Sequence, residues 1–365
     1  MQTWGRWEPE VRRLGMRFAA SPEYHVFPTL DRPLKPYEAV VRATRQTEPL
    51  VREIAPDVVV ADILTLAPAL AAERLGVPWA TLVPHVYPVG AEGFPPYSFG
   101  ARYPRTAVGR AGWSRLERVV SAGLERGRRE LNETRRRLDM PPLDRLHGGQ
   151  SDQLVLVGTL PELEYPRAWP AHVHVVGPLQ FELDHPHVEP PPGDRPLVLV
   201  APSTAQDPEH RLLHATLEGL AGAPVRVLAT YNRRLPERPL RVPANARLVD
   251  WVSYARTMPL ADVVVGHGGH GTLVRALSSG AIPVVVPAGG DMNENAARVA
   301  WAGLGVRVPR RFATPRAVRL AVATALADDA LRARVRAVAA SPFTSSGPAR
   351  AADLLESFAV VRYTN

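Results

Sequence analysis

The chain has 365 residues, with 44 basic side chains against 36 acidic ones and no cysteine. That length suits two domains with substantial cores, and the lack of thiols excludes disulfide scaffolds, thiolate metal sites and cysteine nucleophiles. The formal charge of +8 does not point to nucleic acid: Lys35 is the only lysine, the arginines are spread along helices between acids, and no nucleic-acid motif occurs.

The opening MQTWGRWEPEVRR lacks the apolar core of a signal peptide. Asp57, Asp62, Glu73 and Arg74 break the longest apolar stretch before it reaches the roughly 18 residues of a membrane span. The expectation is a cytoplasmic protein with neither membrane nor nucleic-acid partner. In chain order, the pattern predicts a short helix over 4–14, a strand-like MRFAAS, a loop punctuated by Pro28, Pro33 and Pro36, and a helix over 37–54. PDVVVADI, ending on Asp62, is apolar without alternation, as expected of a strand buried on both faces of a parallel sheet. A helix over 67–75 and a strand over 79–84 follow. Residues 85–104, HVYPVGAEGFPPYSFGARYP, form a long aromatic loop, and loops of that length in compact domains tend to carry function. A long helix over 109–138 shows a stripe of Trp113, Leu116, Val119, Val120 and Leu124, which predicts a core-facing side. QLVLVGT and HVHVVGPL add two short strands.

The Pro-rich, polar DHPHVEPPPGDRP (184–196) reads as a linker between two α/β units. The division drawn from it is an N-terminal domain (1–185), a linker (186–196), a C-terminal domain (197–347) and a last helix (348–365) that packs back toward the N-terminal domain. Within the second unit, the stretch from Met258 to Val308 predicts strand 262–265, a Gly/His loop 266–271, helix 272–279, strand 283–287, a second Gly loop 288–291 and helix 292–302. In a parallel sheet both loops open on the carboxyl edge of the strands, where ligands bind. Bare N–H groups and the positive end of a helix dipole meet there, which makes a site for phosphate.

HGGHGT at 267–272, followed by PAGGDMNEN at 287–295, resembles the donor-binding signature of the inverting, metal-independent nucleotide-sugar glycosyltransferases, in particular the bacterial natural-product branch. The resemblance implies the GT-B fold, α/β with two Rossmann-like domains facing across a cleft. It implies an enzyme that moves a sugar from a nucleotide-diphosphate donor to a hydroxyl of a hydrophobic small molecule, with no cofactor and no metal. By the same resemblance His267 donates to the donor diphosphate, with Gly269, Gly271 and Thr272 beside it at the helix start. Asp291 accepts from sugar hydroxyls, Trp251 stacks on the base, Val252 meets it through its backbone, and Ser203 and Thr204 approach the phosphates. Two departures stand out: Met292 replaces the glutamine that usually follows the sugar-binding aspartate, and Tyr254 replaces a glutamine near the base. Met292 removes a hydroxyl partner, which suits a deoxysugar donor, commonly carried on dTDP.

Other readings stay open at these positions. His267 and His270 could ligate a metal, which would need a third or fourth ligand, or His267 could be a satisfied core histidine. Asp291 could cap the following helix, as could Ser203 and Thr204, and Trp251 and Tyr254 could be core aromatics. The family's catalytic base is a histidine in a GHxxP-like turn after the first strand, and that turn is not found. Its carboxylate partner corresponds to Asp62, which could equally be a loop or cap carboxylate. The N-terminal domain is therefore expected to be incomplete by about 35 residues, a βαβ unit's worth. The expectation is a start assigned too far downstream, the alternative being a product without base or first strand. His85 is the nearest substitute, but reads better as lining the acceptor site with Phe94, Tyr97 and Phe99. Two further functional readings are a non-catalytic partner that binds sugar nucleotides and a UDP-sugar epimerase of the same fold.

Overall fold

The computed structural model describes residues 1–22, 36–183, 185, 187–203 and 207–360. Pro28, Pro33, Thr204 and the side chain of Val119 lie outside the described residues. Near the N-terminus β1 (Gln2–Thr3) pairs in parallel with β2 (Ala19–Ala20), with α1 (Glu8–Arg13) between them. The helix α2 (Pro36–Ile54) leads into β3 (Val59–Asp62), and α3 (Leu66–Arg74) into β4 (Trp79–Val83). The 31-residue α4 (Ala107–Arg137) precedes β5 (Val155–Val157) and β6 (Val173–Val175). These last four strands form one all-parallel sheet in the order β3-β4-β5-β6.

The second sheet holds β7 (Leu197–Ala201), β8 (Arg226–Thr230), β9 (Ala246–Val249), β10 (Val263–Gly266), β11 (Ile282–Val285) and β12 (Val306–Arg307). All pairs are parallel, in the order β9-β8-β7-β10-β11-β12. The chain starts at the centre, runs to one edge, returns and builds the other half, so the order reverses between β7 and β10. Crossovers are made by α5 (Arg211–Gly219), α6 (Tyr254–Thr257), α7 (His270–Ser278) and α8 (Asp291–Ala302), and α9 (Pro315–Ala327) and α10 (Asp329–Ala339) cover the sheet. Unalternating runs such as VVV at 263–265 are explained by this: Val263, Val264 and Val265 are all at most 3% exposed because helices lie on both faces.

The last helix, α11 (Phe343–Val360), begins five residues before its expected start and carries Pro348 inside it. Its Ala351, Leu354, Leu355 and Phe358 pack with Ala80, Leu154, Leu156 and Val176 on the first sheet. The approach is close enough to need glycine. A Cβ on Gly177, at φ +108°, would lie 2.3 Å from the carbonyl oxygen of Phe343, and one on Gly347 would lie 2.5 Å from that of Pro178.

The stripe on α4 needs correction. Leu116 is 46% exposed, and Trp113, Val120 and Leu124 are only half-buried. Apolar spacing marks a face but not whether anything lies against it. The helix is anchored instead at its far end, where Thr134, Arg135 and Leu138 are at most 3% exposed and Arg135 grips Glu73 of α3 through both terminal nitrogens, at 2.8 and 2.7 Å.

Substituting Gly347→Ala is expected to cost about 1–3 kcal/mol, the usual range for overpacking a close contact. Urea unfolding reads it directly; an unchanged midpoint would mean that α11 is not held against the 177–178 turn.

Candidate functional site

The reversal of strand order places two loops side by side at the carboxyl edge of the second sheet, Pro202–Ser203 after β7 and His267–Gly269 after β10. Open α/β sheets bind ligands at such a point. The chain can turn off β10 this tightly only because its residues lack side chains. A Cβ on Gly266 would lie 2.9 Å from the carbonyl oxygen of Ala201, and one on Gly268, at φ +78°, would lie 2.5 Å from Cγ1 of Val285. The helix α7 then starts at His270, two residues earlier than expected, and its first closing bond runs from Leu273 N–H to Gly269 O at 3.0 Å. The N–H groups of His270, Gly271 and Thr272 precede that bond and have no partner within the helix. A Cβ on Gly269 or Gly271 would meet nothing within 4 Å, so the backbone here faces open space.

A cleft of about 230 Å³ lies on this helix start. Its lining brings together six of the expected donor-site residues, Ser203, Trp251, His267, Gly269, Thr272 and Met292, with Asn232 and Tyr254 beside them. Gly271 is exposed at the same helix start, and Val252 is 2% exposed in the apolar layer with Leu197, Leu199 and Leu228. Asp291 is exposed and stands as the first residue of α8, one position past the cap at Gly290. Met292 next to it lines the cleft.

The two histidines of the loop do different work. His267 is 6% exposed, with Nδ1 2.9 Å from the carbonyl of Val286 and Nε2 3.2 Å from Oδ2 of Asp207. The carbonyl only accepts, so Nδ1 carries a proton. Burial acts to raise the Asp207 pKa, but hydrogen bonds from His267 and from Leu212 N–H outweigh it and hold the carboxyl down at about 2. Asp207 is therefore an ionised acceptor facing Nε2 of the His267 ring. His270, by contrast, is pushed down to about 4 by burial, which leaves it neutral at pH 7. Its Nε2–H reaches the carbonyl of Gly158, just past β5 in the other sheet, at 3.3 Å. Among the described residues, no group of three or more His, Asp or Glu side chains could hold a metal.

At the other end of the cleft the Trp251 ring lies 6.5 Å from that of Tyr254 in near-parallel orientation, with the Arg233 guanidinium 4.7 Å from its centroid. Burial pushes the Tyr254 phenol up to about 12, and its oxygen is 3.4 Å from Oδ1 of Asn232. Asn232 in turn donates to the carbonyl of Pro202 at 2.5 Å and sits at φ +50°. Asn232 and Asp207 were not anticipated. The signal for Asn232 was its place two residues past β8, on the ligand edge of the sheet; nothing local marked Asp207 as reaching His267 across 60 positions.

The acceptor-side residues are not gathered into one wall. Phe94 packs edge-on to Tyr103 and Tyr165, at 5.2 and 5.6 Å between ring centroids, and is half-buried. Phe99 is 70% exposed. Tyr97 and His85 are near one another, 6.1 Å between rings, and burial together with the charges of Asp291 and Glu294 raises the Tyr97 phenol. His85 is half-buried at the end of the β4 loop, its Nδ1 2.8 Å from the carbonyl of Val86. Asp62 ends β3, and its Oδ1 accepts from Leu64 N–H at 2.8 Å, a local turn; among the described residues no histidine bonds it.

An Asp207→Asn variant tests the buried pair. The folded pKa of Asp207 is depressed from its ordinary 3.8 to about 2, so the stabilisation is present above pH 4 and is lost as pH falls toward 2. The gap in urea midpoint between wild type and variant is therefore expected to shrink steadily from pH 5 to pH 2.5. A gap independent of pH across that window would contradict the ion pair.

Residues 215–358 match the family model described as the erythromycin biosynthesis protein CIII-like C-terminal domain. The chain is 31% identical over 302 residues to 4'-demethylrebeccamycin synthase of Lentzea aerocolonigenes, covering 79% of this chain and 70% of that protein. Its fold matches the crystal structure of the kitacinnamycin glycotransferase with a TM-score of 0.75, at 21% identity over 98% of this chain and 90% of the other. It also matches the glycosyltransferase SsfS6 of Streptomyces sp. SF2575 complexed with thymidine diphosphate, with a TM-score of 0.64, at 20% identity over 98% and 90% of the two chains. With the helix-start cleft and the two parallel sheets, this similarity makes the chain a member of the bacterial natural-product glycosyltransferases, nucleotide-sugar-dependent enzymes of the GT-B fold.

Proposed function

We propose that this enzyme transfers a deoxysugar from a dTDP donor to a hydroxyl of a hydrophobic, natural-product-like acceptor, in the cytoplasm, with inversion and without metal or cofactor. The observation that carries the reading is the convergence of Ser203, Trp251, His267, Gly269, Thr272 and Met292 on one cleft at the start of α7. In this reading the diphosphate lies against the N–H groups of residues 270–272. Those donors are in place before reaction and stabilise the charge that grows on the leaving diphosphate. Nε2 of His267 adds a side-chain donor once Asp207 yields its place. The base lies toward Trp251 and Tyr254, and the sugar toward Asp291 and Met292. A thioether is at best a weak acceptor, so Met292 leaves one face of the sugar without a hydroxyl partner. The thymidine diphosphate held by SsfS6 supports the choice of nucleotide. On the acceptor side, Asp62 ends one of two paired strands and His85 lies two residues past the other, and Asp62 is proposed as the carboxylate that orients the proton acceptor.

A second reading, a sugar-nucleotide-binding protein without turnover, is favoured by one observation, the engagement of Asp62 with Leu64 N–H rather than with a histidine. Transfer and donor hydrolysis, measured with a panel of dTDP- and UDP-sugars and a set of aglycones, separate the two. Preference for UDP-glucose over its deoxy counterparts would sink the deoxysugar assignment, and Met292→Gln is expected to shift relative use toward the fully hydroxylated donor by about tenfold, the scale of one hydrogen bond to a substrate hydroxyl. For the site itself, Gly269→Val places a side chain in the cleft; dTDP affinity by calorimetry is expected to fall about tenfold or more with little change in melting temperature. Unchanged affinity would move the diphosphate elsewhere.

A further inference from the structure

Beyond the donor cleft, a set of three buried charges lies where α8 meets the loop 85–104. Arg298 is 2% exposed, Glu294 1% and Glu164 8%. The Nε of Arg298 donates to Oε1 of Glu294 at 2.8 Å, and its Nη1 donates to Oε2 of Glu164 at 2.8 Å and to the carbonyl of Leu163 at 2.9 Å. The guanidinium also sits 4.3 Å from the centroid of the Tyr165 ring. The second oxygen of each carboxylate is taken by the loop: Tyr87 N–H donates to Oε1 of Glu164 at 2.6 Å, and Ser98 N–H to Oε2 of Glu294 at 3.3 Å. A further tie follows at Gly100, whose carbonyl accepts from Nη1 of Arg307 at 2.6 Å, and where a Cβ would lie 2.8 Å from Cβ of Asn293.

One guanidinium thus fixes two carboxylates, and each carboxylate holds one point of the loop. Tyr97 and His85 belong to that loop, and Asp291 begins the helix on which Glu294 and Arg298 ride. We propose that Arg298, acting through Glu164 and Glu294, is a positioning residue that holds the acceptor-side loop in register with the donor sugar at Asp291. The inference rests on the donor and acceptor reading given above. The planar fork is what the geometry requires: a lysine ammonium is a point charge and cannot present Nε and Nη1 to two carboxylates at once. A purely stabilising role would be served as well by apolar side chains of similar volume; the role argued here depends on where the loop is held.

Arg298→Lys keeps the charge and loses the fork. The acceptor KM is expected to rise about tenfold while the donor KM and the dTDP affinity stay within roughly twofold, and the ratio of donor hydrolysis to transfer is expected to increase. Hydrogen exchange at Tyr87 and Ser98 should accelerate while the amides of α7 keep their protection. Donor and acceptor constants moving together, or loop amides as protected as in wild type, would overturn the proposal. Glu294→Gln provides a milder variant should the lysine form fail to fold, and is expected to loosen Ser98 and leave Tyr87 protected; equal loosening of both counts against the two-point clamp. If the wild type neither binds dTDP nor turns over donor, the functional reading fails, and the exchange measurements still decide whether Arg298 holds the loop.

Discussion

The cleft at the start of α7 depends on one steric constraint, the close approach of Gly266 to the Ala201 carbonyl and of Gly268 to Val285. Adjacent parallel strands sit at fixed spacing, so a side chain at either position would push the loop away from the sheet. The helix α7 would then start farther out, and its free N–H groups would no longer overhang the point where the strand order reverses. The dipole of α7 and those N–H groups are useful to an anion only because the two glycines let them come this close to Ser203 and Trp251.

Charge is used sparingly inside this arginine-rich chain, and among the described residues two buried pairs, Arg298 with Glu164 and His267 with Asp207, join parts that are far apart in sequence. Surface pairs such as Arg12 with Glu8, 61% and 42% exposed, contribute little, because water screens them and both side chains lose freedom. Arg298 between Glu164 and Glu294, and Asp207 with His267, are desolvated, and removing one partner would leave a buried charge without compensation. Both lie at the junction of the two sheets or beside the cleft. Neutral His270 extends the junction by donating across it to Gly158.

Much of this architecture could be read from the sequence because parallel strands buried on both faces leave unalternating apolar runs, and glycine clusters after such runs mark the ligand edge. That logic located β7, β10 and β11 and the two loops that follow them, with boundaries off by one or two residues where helices start earlier than their apolar periodicity. It failed where the decisive fact was contact across the fold. Leu116 has helical spacing but is 46% exposed. Phe94 and Phe99 are alike in sequence, yet one is packed against Tyr165 and the other lies in solvent. Asp207 and Asn232 look like ordinary loop residues until the sheet brings them to His267 and Tyr254. Resemblance supplied the expected roles of His267 and Asp291; spacing alone could not separate a phosphate donor from a metal ligand or a cap from a sugar contact.

The tripeptide Asn293-Glu294-Asn295 on α8 shows how far one helical turn can reach. Neighbouring residues on a helix point about 100° apart, so Glu294 and Asn295 address different surroundings. Asn295, 1% exposed, donates to the carbonyl of Gly268 at 2.9 Å and ties the helix to the glycine loop of the donor site. Glu294 accepts from Ser98 on the other side. Asp291 and Glu294 are three apart and Arg298 is four farther on, the spacing that lines up one face. Both loops, one lying against the donor cleft and one carrying the aromatic residues, are thus hydrogen-bonded to the first two turns of a single helix. Any shift of α8 is transmitted to both, so this helix, rather than either sheet, couples the glycine loop after β10 to the aromatic loop.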